Sequence, residues 1–105
     1  MEIYNINVAE SAEIDLHDII KYISEQFMAD VTARQLLNEI ENKISSLATF
    51  PERIPLISDD RLHGLGYRKL SVKNYLIFFS INKRDRMVNI ERILYKRRNW
   101  MDIIK

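Results

Sequence analysis

Polar and apolar residues roughly alternate through Ile3-Tyr4-Asn5-Ile6-Asn7-Val8, a short run rich in β-formers that predicts an N-terminal strand. From about Ser11 the period lengthens. Ala12, Leu16, Ile19, Ile20, Ile23 and Phe27 recur at steps of three and four, so one apolar stripe runs along a helix. Glu13, Asp15, Asp18, Lys21 and Glu25 fall mostly opposite it, as a solvated face. A second stripe of Ala33, Leu37, Ile40, Ile44 and Leu47 predicts a second helix, capped by Asp30 and ended near Phe50-Pro51. So few residues join the two helices that they must form an antiparallel hairpin.

Pro51, Pro55, Asp59-Asp60, Gly64 and Gly66 then break up residues 51–66, which read as an irregular connection. Beyond it the pattern is β. Tyr67 to Val72, Tyr75 to Asn82 and Val88 to Tyr95 read as three strands, joined by tight turns at Lys73-Asn74 and Lys83 to Arg86. Consecutive strands so joined make an antiparallel meander. Leu76-Ile77-Phe78-Phe79 is apolar on both faces, which makes its strand central, with the helices on one side and a partly apolar cover on the other. The first strand completes the sheet at an edge. The expected fold is α+β, in the order β-α-α-β-β-β with a short C-terminal segment, as a single domain over residues 1–105.

Composition narrows the chemistry. With 105 residues, 47% of them apolar, the chain can bury a core without a metal or a disulfide. It has no cysteine, which removes disulfide scaffolds, thiol catalysis and cysteine-based zinc sites. Met1 to Val8 lacks the basic and apolar regions of a signal peptide, and no run of roughly 18 apolar residues occurs, so a cytoplasmic protein without a membrane span is expected. Two glycines leave no room for a glycine-rich phosphate loop, so no nucleotide cofactor is expected. Nor is a metal site. His17 and His63 have no further ligand at metal spacing, and Glu13, Asp15 and Asp18 are spaced as a helix face rather than as an acid/base pair.

Charge is divided along the chain. Residues 1–60 carry four Lys/Arg against twelve Asp/Glu, and residues 61–105 carry twelve against three, a net −8 beside a net +9. The basic half ends in Tyr95-Lys96-Arg97-Arg98-Asn99-Trp100. This asymmetry points to an acidic or polyanionic partner, or else to an acidic helical layer neutralised by the sheet beneath it. Trp100 beside Arg97 and Arg98 has the composition of an interface hot spot, and equally suits a residue that packs the C-terminal segment onto the sheet edge. Arg68 and Arg92 fall within strands, where they either join the basic cluster or form ion pairs with a neighbour such as Glu91.

The order of elements, together with Asp15-Leu16, Phe50-Pro51, Gly66-Tyr67-Arg68, Asn74-Tyr75-Leu76-Ile77-Phe78-Phe79 and Arg92-Ile93-Leu94-Tyr95-Lys96-Arg97-Arg98, resembles the RelE/ParE superfamily of bacterial toxins over nearly the whole chain. The resemblance implies the growth-inhibiting toxin of a type II toxin–antitoxin module, of the kind that stabilises plasmids. It also implies an antitoxin partner with an acidic amphipathic segment, within a complex that can be of higher order. RelE-like toxins cut mRNA on the ribosome, whereas ParE-like toxins inhibit DNA gyrase and are not nucleases. Metal-free RNA cleavage needs a group to activate the 2′-hydroxyl, cations for the phosphorane and an acid for the leaving oxygen. RelE-like members place an arginine after the tyrosine that opens the central strand, and Leu76 stands at that position here. Arg68 and Arg97 match two of their basic positions, and Trp100, Met101 and Ile103 occupy the stretch that would carry the acid or base. Tyr95 stands where ParE-like members often have histidine. The resemblance thus favours the gyrase-directed branch, with Arg68, Arg92, Tyr95, Arg97, Arg98 and Trp100 as target-binding residues. The alternative is a ribosome-dependent endoribonuclease using Arg68, Arg97 and Tyr95.

Overall fold

The computed structural model describes residues 3–104, so Met1, Glu2 and Lys105 lie outside the description. The elements are β1 (Asn5–Val8), α1 (Glu10–Gln26), α2 (Asp30–Ser46), a 3-10 turn (Pro51–Arg53), α3 (Asp60–Gly64), β2 (Arg68–Val72), β3 (Tyr75–Asn82), β4 (Met87–Tyr95) and α4 (Trp100–Ile103). This is the α+β order expected from the sequence. The four strands form one sheet in the order β1-β4-β3-β2, with β1 at an edge and parallel to β4, and the other pairs antiparallel. No helix among the described residues is long and apolar enough to cross a membrane.

The helical hairpin differs from its sequence reading in three places. Asp30 is the first residue of α2 rather than its cap, and it accepts a hydrogen bond from the Ser24 hydroxyl across the turn. Leu36 is buried with Ala33, Ile40 and Ile44, while Leu37 is only half-buried, so the stripe lies one position round the helix from where an even spacing puts it. α2 also ends at Ser46, ahead of Phe50-Pro51. The chain leaves the helix there to meet the start of β1, where the Tyr4 N–H donates to the Ala48 carbonyl at 2.8 Å and Ile3 bridges Thr49. Arg53 satisfies carbonyls that the ended helix and the turn leave free, donating from Nη1 to Thr49 at 2.7 Å and to Phe50 at 3.0 Å.

Residues 51–66 are more ordered than their breakers suggest. Asp59 caps α3 by accepting from the Leu62 N–H at 3.1 Å, and Leu62 is wholly buried. α3 and α4 together cover the face of the sheet turned away from the hairpin. On that face Ile57, Leu62, Leu76, Phe78, Leu94 and Ile104 form one core, flanked by Tyr67, Trp100, Met101 and Ile103. Arg61 fastens the cover, its Nη2 donating to the carbonyls of Met101 at 2.8 Å and Ile104 at 2.7 Å. The larger core lies under α1 and α2 and takes Ile77 and Phe79 from β3 with Val88, Ile90 and Ile93 from β4. β3 is therefore buried on both faces, as its apolar run requires.

A bulge reconciles the two cores. Ile77 pairs with Ile93 and Phe78 with Arg92, but Phe79 pairs with Ile90, so Glu91 is an extra residue on β4. Strict alternation would send Ile93 away from Val88 and Ile90. The extra residue resets the pleat, so all three face the helices and Leu94 joins Leu76 and Phe78 on the other side.

Because Leu36 is 5% exposed and its neighbour Leu37 half-buried, Leu36→Ala is expected to lower the unfolding free energy by about 2–4 kcal/mol and Leu37→Ala by about 1 kcal/mol. Urea unfolding followed by circular dichroism reads both; equal losses would contradict the assigned stripe.

Candidate functional site

Of the six residues singled out by sequence, the fold ties two into its own frame. Arg92, at the bulge, forms a two-pronged ion pair with Asp15 of α1: Nε to Oδ2 at 2.7 Å and Nη2 to Oδ1 at 2.8 Å. Oδ2 also accepts the Ile93 N–H at 2.9 Å. β1 stops pairing at Ile90, so the carboxylate serves a stretch of β4 that has no strand on that side. The hydrogen bond to Asp15 holds the Arg92 guanidinium above its ordinary pKa, against the opposing effect of burial. Asp15 is thus no part of a solvated face: its side chain is 10% exposed. The periodicity missed this because a carboxylate on the flank of the stripe looks solvated until its partner strand is placed. Arg68 is engaged as well, donating from Nη1 to the Ile54 carbonyl and, at 3.4 Å, to that of Glu52, which pins the connection to β2.

Trp100 sits on the far face of the sheet. Its ring lies 5.2 Å from that of Phe78, and the Lys69 Nζ stands 4.8 Å above it, a cation–π contact that shields the indole from the solvent side.

The remaining three gather at the other side of the β4 terminus. Tyr95 and Arg98 line a groove of about 770 Å³ between the second half of α1 and the ends of β3 and β4. Arg97 is exposed nearby, and among the described residues neither arginine side chain has a hydrogen-bonding or ionic partner. The groove floor includes Ile19, Ile23 and Ile93, and two edge-to-face aromatic pairs border it: Tyr22 with Phe27 at 5.7 Å and Tyr75 with Tyr95 at 5.6 Å. Asp18 faces it from the α1 rim. Sequence reasoning missed Tyr22 and Tyr75 as site residues and placed Phe27 in the core, where it is 65% exposed. Phe27 continues the apolar stripe past the last turn that the sheet can cover, a length mismatch invisible before the sheet is built. Leu76 lies elsewhere, 4% exposed within the second core.

This arrangement offers an apolar cleft with unpaired cations at its lip, a binding surface more than a reaction centre. Residues 6–100 match the family described as the ParE toxin of the type II toxin–antitoxin system, parDE. The chain belongs to the ParE toxin family. The fold agrees: a chain of the chromosomal ParDE toxin–antitoxin system from P. aeruginosa superposes with a TM-score of 0.72 at 15% identity, over 89% of this chain and 96% of that one. A chain of the RelBE2 toxin–antitoxin complex from Mycobacterium tuberculosis gives 0.60 at 19% identity, over 89% and 98%. No curated protein sequence matches. Within the ParE frame, the groove joins exposed apolar surface to cations that have no partner among the described residues.

Two tyrosines, Tyr75 at the groove and Tyr67 beside the second core, give the fold a pH signature. Burial, then the neighbouring phenols of Tyr95 and Tyr22, push Tyr75 above its ordinary value, and burial with the Glu91 carboxylate does the same for Tyr67. The unfolded chain therefore loses these protons first as pH rises, so their contribution is complete below about pH 10 and is lost as pH climbs through the folded values. Urea midpoints measured from roughly pH 9 to 11 should fall, and Tyr67→Phe with Tyr75→Phe should flatten the fall. An unchanged slope in that double variant would contradict the assignment.

Proposed function

We propose that this ParE-family toxin arrests growth by binding DNA gyrase, without cutting nucleic acid, and that an antitoxin with an acidic amphipathic segment neutralises it. The observation that carries the first half is the setting of Leu76. A nuclease of the RelE type needs a cation at that position, facing the scissile phosphate. Here the position is sealed in an apolar core under α3 and α4, beside Leu62, Phe78, Leu94 and Ile104. A charged contact missing from a phosphoryl transition state costs on the order of 3 kcal/mol, or ~100-fold in rate. Of the nuclease set Arg68, Arg97 and Tyr95, Arg68 already holds protein oxygens, as does the target-binding candidate Arg92. What is left for a target is Tyr95, Arg97 and Arg98, which suit docking on an acidic surface. The antitoxin reading draws on the two structural neighbours, both from toxin–antitoxin systems. An unpaired basic lip beside an apolar groove fits an acidic amphipathic segment.

Purified protein is expected to inhibit gyrase supercoiling and to leave ribosome-bound mRNA intact. Arg97→Ala with Arg98→Ala should abolish inhibition at an unchanged melting temperature, because neither side chain supports the fold. Trp100→Ala acts differently: it removes the ring packed at a tilt against Phe78, so it should lower stability by about 2–4 kcal/mol and affect inhibition through that loss. Codon-positioned mRNA cuts on stalled ribosomes that vanish in Tyr95→Phe would overturn the reading in favour of the endoribonuclease.

A further inference from the structure

The groove adjoins the loop that joins α1 to α2, and the two have complementary chemistry. Tyr22, Phe27, Met28 and Val31 are four of the nine large apolar side chains that stand exposed among the described residues, and they fall within ten consecutive positions. So much apolar surface on one corner marks a contact region. Met28 is 91% exposed and sits at the tip of the turn with φ of +47°, a conformation that non-glycine residues rarely adopt. The tip is flanked by the carboxylates of Glu25 and Asp30. Opposite charge flanks the groove's sheet wall, where Tyr75 and Tyr95 are followed by Lys96, Arg97 and Arg98. Among the described residues the Glu25 side chain, like those of Arg97 and Arg98, has no partner.

We infer that a second copy of this chain covers the corner, with the α1–α2 tip of each protomer seated in the groove of the other. A two-fold interface must be self-complementary, each patch supplying what its own copy needs. An apolar acidic tip beside an apolar basic-walled groove meets that condition, and the symmetry sets Glu25 against Arg98 twice. In the pair Tyr95 and Arg98 are covered, so self-association competes with whatever else those residues bind. Only that last consequence rests on the function proposed above.

Sedimentation velocity of the full chain, purified free of antitoxin, tests the interface over a range of micromolar concentrations. A reversible monomer–dimer equilibrium is expected, weakened by about tenfold or more in Met28→Glu. Glu25→Arg and Arg98→Glu should each weaken it, and the two together in one chain should restore it, with melting curves confirming that every variant is folded. A single monomeric species throughout, a dimer indifferent to Met28→Glu, or a charge swap that restores nothing would overturn the inference. Sedimentation reads the dimer without reference to gyrase, so its failure and the failure of the target assignment are separate results.

Discussion

The carboxylate of Asp15 joins three things that would otherwise be incompatible: a bulged strand, a strand edge left bare, and a partly buried guanidinium. It takes two hydrogen bonds from Arg92 and one from the Ile93 N–H. Charge-assisted bonds of this kind are short and strong, and a carboxylate with three donors is well compensated for the water it has lost. The dependence runs outward from there. The extra residue at Glu91 lets one strand serve two cores, turning Val88, Ile90 and Ile93 to the helices and Leu94 to the opposite face. The bulge disturbs the ladder just where β1 has ended, so the exposed N–H needs an acceptor from α1. Asp15 is that acceptor, and it ties α1 to β4 at the end of the sheet.

That tie borders the functional surface. α1 overhangs the ends of β3 and β4, which opens the groove and leaves Tyr22 and Phe27 beyond the cover of the sheet. The opposite face is closed by α3 and α4, with Arg61, Lys69 and Phe78 holding the C-terminal segment down. With one face closed, Arg61, Arg68 and Arg92 are spent on the fold, while Arg97 and Arg98 beside the groove have no partner among the described residues.

The elements of the fold could be read from the sequence because each carries its own period: three to four residues in Ala12 to Ile23, two in the first strand, and a doubly apolar run in β3. Chain order and turn chemistry then gave the meander and its edge strand. The site was less readable, for three physical reasons. A bulge changes which side a residue faces without changing composition, so Arg92 and Ile93 could not be oriented. Asp15 and Arg92 are 77 positions apart, and nothing local to either announces the other. Trp100 followed two arginines and looked like an interface anchor, but its partner Phe78 belongs to a strand whose second face had no identified cover, because α3 is too short to impose a period on Asp59 to Gly66. Tyr95, Arg97 and Arg98 stay close in the fold, since adjacency in sequence at the end of a strand keeps them adjacent in space.

The dependence of the architecture on the Asp15–Arg92 pair is measured most directly by a double-mutant cycle in denaturant unfolding. Asp15→Ala should cost about 2–4 kcal/mol, because it leaves both a guanidinium and the Ile93 N–H without an acceptor. Asp15→Ala combined with Arg92→Met should cost clearly less than the two single losses added together, with a coupling of about 1–3 kcal/mol. Two small and strictly additive losses would show that the bulge and the helix hold their places without the pair, and would contradict the account.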